Sequence, residues 1–155
     1  MSRDNAIAAT AKYFDSGSFI KDIETLVAIP SESQLPEGLS HCWNYLEVAM
    51  KPTFENMGFT IKTFENPISG FGPVLLATRI ENPSLPTILG YGHGDVIRGM
   101  EGQWDSGRMP WSVKVEDDRL YGRGTADNKS QHWINMMAIK NVLKIRGKLG
   151  FNAKF

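Results

Sequence analysis

The chain has 155 residues, 41% of them apolar, enough to bury one core and hardly two, so one domain or part of one is expected. Seventeen basic and seventeen acidic residues cancel, and the Lys and Arg are scattered, which argues against a nucleic-acid or membrane surface and for a small-molecule partner. No apolar run approaches the roughly 18 residues that span a bilayer, and the opening MSRDNAIAATAKYF is polar where a secretory signal would be apolar. With a single cysteine, Cys42, placed in an apolar helical pattern that reads as a buried thiol, these features fit the reducing cytoplasm.

Helical spacing first appears at Phe19, Ile20, Ile23, Leu26 and Val27, behind Ser16 and Ser18, either of which has the oxygen for a first-turn cap, and ahead of Pro30. Residues 30–38, PSESQLPEG, are rich in turn formers and read as a linker. Beyond it Leu39, Trp43, Leu46, Met50, Phe54 and Met57 make one helical stripe, interrupted by Pro52, which predicts a kink or restart near Met50. Gly58 ends that helix. Phe59, Ile61 and Thr63 then alternate as in a half-buried strand, whereas residues 74–80 and 87–91 are short apolar runs that read as strands buried on both faces. His93 would therefore leave the carboxyl end of an inner strand, where open α/β sheets place their ligands. Val113 and Val115, a turn at Asp117 and Asp118, and Leu120 with Tyr121 form a hairpin that returns the chain to Asp127. Residues 129–146 read as a helix with Ile134, Met137, Ala138, Val142 and Ile145 on its packing face and Met136, Ile139 and Leu143 beside it, stopped by Gly147 and Gly150. Phe151, Ala153 and Phe155 begin a further strand alternation with no closing element, so the sequence is expected to be part of a longer chain and this strand to lack a partner.

The chemistry concentrates between Tyr91 and Gln131, in YGHGDV and LYGRGTADNKSQ. His93 offers an imidazole nitrogen, Asp127 a carboxylate able to bridge two cations, and Asp95 a carboxylate two residues from the imidazole, where it can hold one tautomer. The other histidines read differently. His41 lies on the polar side of a helix with no third ligand near, and His132 opens a helix as a structural residue. Gly122 and Gly124 lack the spacing of a phosphate loop and read as tight turns. Arg123 and Lys129 are expected to pair with acidic groups around the site, and Trp104, Trp111 and Trp133 to pack in the core or rim.

Gly-His-x-Asp-x-Val at 92–96, followed by Trp104, Met109-Pro110-Trp111 and then Leu-Tyr-Gly-Arg-Gly-x-x-Asp-Asn-Lys at 120–129, resembles the dinuclear zinc peptidase and deacylase family. That family includes acetylornithine deacetylase, succinyl-diaminopimelate desuccinylase, carboxypeptidase G and dipeptidases. The resemblance implies a zinc-exopeptidase-like, three-layer α/β/α fold with a mixed, mostly parallel sheet, of which residues 1–155 would be the truncated N-terminal part, without the lid or dimerisation domain. It implies His93 and Asp127 as metal ligands, Asp127 bridging, and Asp95 as the catalytic-site carboxylate that orients His93. It also implies a cis peptide from Asp127 to Asn128, and two divalent ions, zinc with cobalt or manganese as substitutes. The reaction it implies is hydrolysis of a peptide or N-acyl amide bond of a small substrate, dipeptidase-like, in a parent protein that forms homodimers. The glutamate pair that completes such sites lies beyond Phe155 in the family's order, which leaves a non-catalytic binding relative or an inactive fragment as the other readings.

Overall fold

The computed structural model describes residues 3–155. Its first element, α1 (Arg3–Asp15), was not foreseen: its alanine-rich sequence has high helix propensity but no apolar stripe, and it buries no residue completely. It is held from the side. The Tyr13 hydroxyl donates to Asp22 Oδ2 at 2.5 Å and accepts from Trp133 Nε1 at 2.9 Å. Burial, reinforced by Asp22, raises the pKa of that phenol well above its usual range.

Helix α2 (Ser18–Val27) follows the predicted span and buries Ile23, Leu26 and Val27. Neither serine caps it: the chain enters through Gly17 at φ 76°, and Ser16 Oγ is spent on the Tyr13 carbonyl at the end of α1. After a 3-10 turn at Pro36–Gly38, the long predicted helix is realised as α3 (Leu39–Asn44), a π-helical turn (Tyr45–Met50) and α4 (Lys51–Asn56). This is the interruption expected from Pro52, which has no N–H for the Val48 carbonyl, and a wider turn ahead of it makes room for the ring. The wider turn also changes which residues face inward. Met50, Phe54 and Met57 are buried as the stripe predicts, but Leu39, Trp43 and Leu46 are only half-buried, while Cys42 and Tyr45 turn into the core.

Strands β1 (Thr60–Phe64), β2 (Val74–Arg79), β3 (Thr87–Leu89) and β6 (Asn152–Lys154) form one mixed sheet in the order β1-β2-β6-β3. β4 (Lys114–Glu116) and β5 (Arg119–Tyr121) make the predicted hairpin, with Asp117 at φ 51° in its turn. Two of the sheet's three pairings are antiparallel and only β3–β6 is parallel, because β1 returns to β2 through a short loop whereas β3 reaches β6 through the long crossover that contains α5 (Lys129–Arg146). Two strand expectations are corrected. β3 is not an inner strand: among the described residues its one neighbour is β6, and Ile88 and Leu89 are exposed. β6 is not unpaired: it lies between β2 and β3 and bonds to both.

One face of the sheet carries Ile61, Leu75, Ala77, Ala153 and Phe155 toward the helices, where Phe54, Phe59 and Phe155 stack with centroids 5.2–6.1 Å apart. The other face presents Phe64, Val74 and Leu89 to solvent, so the described residues contain two of the three expected layers.

Helix α5 has the predicted length, ending at Gly147 with φ 72°, but not the predicted face. Ile134 and Ala138 are exposed, and the buried set is Lys129, Ser130, His132, Trp133, Met136 and Met137. A reading that assigns polar residues to solvent misplaces this face, because the first turn of α5 buries polar groups with partners. The Lys129 ammonium donates to the Leu26 and Ile29 carbonyls at 2.8 and 2.7 Å and lies 5.0 Å from the Tyr45 ring centroid, where burial pulls its pKa down to about 7. It therefore caps the carboxyl end of α2 instead of pairing with an acid. His132 Nδ1 donates to Asn128 Oδ1 at 3.1 Å, and Nε2 accepts from the Tyr45 hydroxyl at 2.7 Å, an arrangement that requires neutral imidazole.

Two outcomes follow from this packing. Met136→Ala, at a fully buried position, should cost about 2–5 kcal/mol in urea unfolding, whereas Ile134→Ala should stay within about 1 kcal/mol. The second concerns acid. Burial lowers the His132 pKa from 6.5 to about 4, so an unfolded chain takes up this proton near 6.5 and the folded chain only near 4. Stability is therefore lost as pH falls through that window, by about 3 kcal/mol from this residue, and His132→Gln should flatten the decline between pH 6.5 and 4.5 relative to wild type.

Candidate metal site

The loop leaving β3 reaches the buried Tyr45–His132 pair through two glycines. A Cβ on Gly92 would lie 2.3 Å from the His132 Cβ, and one on Gly94 would lie 2.2 Å from the Tyr45 ring, so no larger residue permits this approach. His93, between them, is carried to the amino end of α5, where its own N–H donates to Asn128 Oδ1 at 3.2 Å. The peptide bond from Asp127 to Asn128 is cis, as the resemblance implies.

The three predicted site residues are brought together. His93 Nε2 lies 3.0 Å from Asp127 Oδ1, and His93 Nδ1 lies 3.1 Å from the Asp95 carbonyl and 3.3 Å from Asp95 Oδ1. The nearer partner of Nδ1 is thus the main chain of Asp95, with its carboxylate close behind. Both Asp95 oxygens accept only, and so does Asp127 Oδ1, so each ring nitrogen faces an acceptor; with the proton on Nδ1, the Nε2 lone pair faces an Asp127 oxygen. Two electron-pair donors aimed at one point are held together by a shared proton or by a cation. Asp127 is 84% exposed and His93 33%, so the pair is open to solvent on its outer side. An imidazole nitrogen with a carboxylate oxygen is a donor set suited to zinc and its divalent relatives. Among the described residues no group of three or more His, Cys, Asp or Glu side chains converges on one point.

A strap at residues 31–33 locks the loop from behind. Val96 N donates to the Ser31 carbonyl at 2.8 Å and Ser33 N to the Val96 carbonyl at 3.2 Å, a short parallel bridge. Ser31 Oγ donates to the Gly94 carbonyl at 2.5 Å, and Ser33 Oγ to Asp95 Oδ2 at 2.6 Å. Beside this loop opens an apolar cavity of ≈ 840 Å³ that includes Tyr45, Cys42 and Phe155 in its walls. The Cys42 thiol is buried, and burial followed by the charge of Asp95 pushes its pKa up to about 11, so it stays protonated.

The remaining expectations divide. His41 is exposed and His132 is structural, as read from sequence. Trp133 is in the core, while Trp104 and Trp111 are partly buried and donate to the Gly99 carbonyl and to Glu101. Gly124 makes a turn at φ 88°. Arg123 pairs with no acid among the described residues; its guanidinium lies 5.4 Å from the Trp104 ring centroid. Ser31, Ser33, Tyr45 and Asn128 support the site and were missed. Asn128 stands inside the motif and could have been found there, but the serines sit in a segment whose composition signals only turns.

Residues 89–154 match the family model described as peptidase family M20/M25/M40. The Beta-Ala-His dipeptidase of Mus musculus is 38% identical over 87 residues, 54% of this chain and 17% of that protein. An acetylornithine deacetylase of Salmonella paratyphi B is 27% identical over 124 residues, 80% of this chain and 31% of that one. The crystal structure of human carnosine dipeptidase 1 superposes with a TM-score of 0.86 at 25% identity, over 98% of this chain and 33% of the human protein. The chain thus spans no more than about a third of the length of each of these relatives. Its motif residues, its mixed sheet and these likenesses agree: residues 89–154 match the peptidase family M20/M25/M40 model, and the chain is similar to part of these dipeptidases and deacetylases.

Proposed function

We propose that this chain forms part of a metal-dependent hydrolase that cleaves a peptide or N-acyl amide bond of a small substrate, a dipeptidase-like enzyme of the cytoplasm. The observation that carries the reading is the convergence of His93 Nε2 and Asp127 Oδ1 at 3.0 Å with the opposite ring nitrogen held by Asp95. His93 and Asp127 would hold the metal, the Asp127 carboxylate being able to serve two ions, and Asp95 would hold the ring proton on Nδ1 so that Nε2 donates its electron pair. When bound, divalent ions, zinc in preference to cobalt or manganese, would polarise the amide carbonyl and lower the pKa of an attacking water. The mouse dipeptidase, 38% identical over 87 residues, supports a peptide over an acyl amide substrate. No helix among the described residues is long and apolar enough to cross a membrane. With two donors present here, turnover belongs to the complete protein, and these residues alone bind zinc weakly.

In the complete protein His93→Ala and Asp127→Ala should each abolish zinc-dependent hydrolysis of a dipeptide panel and lower bound metal measured by atomic emission, while His41→Ala should leave both within a few-fold. Full turnover in the Asp127 variant would remove the bridging role. Asp95→Asn should be graded instead, lowering metal affinity or activity by roughly 10- to 100-fold, because the Asp95 carbonyl still faces Nδ1 when the charge is gone.

A further inference from the structure

We infer that Ser33 is a positioning residue for the His93–Asp127 pair: its hydroxyl sets the rotation of the Asp95 carboxylate and, through it, biases the His93 ring proton toward Nδ1. The inference deepens the metal-site reading and rests on it for its purpose, although the hydrogen bonds themselves do not depend on a metal. Ser33 Oγ lies 2.6 Å from Asp95 Oδ2, and that carboxylate is its one side-chain hydrogen-bond partner among the described residues. A carboxylate accepts and never donates when ionised, so the single hydroxyl proton of Ser33 points at Asp95.

The torsion of an aspartate carboxylate is broad and nearly two-fold, and this side chain is 44% exposed, so nothing intrinsic keeps Oδ1 in front of the imidazole. Ser33 supplies that constraint by tying down the other oxygen. Its own position is fixed by the backbone bridge in which Ser33 N donates to the Val96 carbonyl and Val96 N to the Ser31 carbonyl. The hydroxyl therefore arrives on a rigid mount, 62 residues away in sequence from the carboxylate it holds. On the far side of the carboxylate, Oδ1 stands 3.3 Å from Nδ1, slightly beyond the Asp95 carbonyl at 3.1 Å. The carbonyl gives the Nδ1 proton a direction. The carboxylate adds a charge-assisted contact that the neutral carbonyl lacks, and Ser33 decides whether that contact is kept. The result is a line of groups, Ser33 to Asp95 to His93 to Asp127, that runs from the anchored strap outward to the exposed donors.

Long-range proton–nitrogen correlation of the His93 ring in the metal-free chain, at a pH where the imidazole is neutral, reads the tautomer directly. Relative to wild type, Ser33→Ala should lower the Nδ1–H share several-fold, and Ser33→Thr, which keeps the hydroxyl, should restore it. Ser33→Val matches the shape of Thr without the hydroxyl, so the Thr and Val pair decides the matter if the Ala variant fails to fold. Titration with zinc ion alone, followed at the same ring resonances, should show about a tenfold weaker affinity in the variants without a hydroxyl. An unchanged tautomer in Ser33→Ala, or equal spectra for Thr and Val, would overturn the role of Ser33. A wild-type His93 ring that ignores zinc would instead count against the metal reading while leaving the tautomer comparison intact, so the two failures are separable.

Discussion

The position of every group in the site depends on the burial of four residues in the first turn and a half of α5. Lys129, Ser130, His132 and Trp133 are all buried there, and three of them carry polar atoms that find partners on other elements. Leaving such an atom unpaired costs about 1–3 kcal/mol, and more when it is charged. Sliding or rotating α5 by one residue would break the Lys129 contacts with the end of α2, the Tyr45–His132 bond and the Trp133–Tyr13 bond together. The helix start is thereby registered, and Asp127, two residues upstream, is registered with it. Ser130 Oγ is the exception in this turn, buried without a partner.

From that anchor the site grows outward by close approach. The Tyr45 and His132 rings stand edge to face, 5.9 Å apart, and form a wall on which the Gly92–Gly94 backbone lies. The glycines do not confer looseness here; their missing side chains let the loop sit in one place. Asn128 then joins both sides of the junction, accepting from the His93 backbone and from the His132 ring through the same oxygen. Three stretches far apart in sequence, 31–33, 92–96 and 127–132, are thus tied by backbone and side-chain hydrogen bonds.

This architecture explains what could and could not be read from the residues alone. Periodicity found α2, the hairpin and the length of α5, because each depends on apolar spacing or on turn residues such as Gly147 and Asp117. The motif stood out because His93, Asp95 and Asp127 occur in a spacing that few other local structures use. The face of α5 was misread for the opposite reason: a helix that buries a lysine and a histidine breaks the rule that polar means exposed, and only the partners supplied by α2, Tyr45 and Asn128 make this affordable. Strand order was also hidden. Nothing in the residues 87–91 tells an inner strand from an edge, since apolar content alone does not say how many neighbours a strand has, and the insertion of β6 between β2 and β3 is a matter of long-range topology. Ser31 and Ser33 look like any turn formers until the bridge to Val96 places them behind the loop.

Exposure across the site runs in the direction that ligand binding requires. Ser31 is fully buried, the Asp95 side chain is partly open, and Asp127 is almost entirely open. Orientation is therefore imposed at the inner end, where hydrogen bonds are shielded from competing water, and the electron pairs are presented at the outer end, where an ion can reach them. Reversing this gradient would bury a carboxylate without a counter-charge and leave the orienting bonds to compete with solvent. A donor pair that is rigid behind and accessible in front binds without having to pay an ordering cost when the ion arrives. Lys129 does not serve as the counter-charge to Asp127, because its ammonium is turned inward to the carbonyls of Leu26 and Ile29.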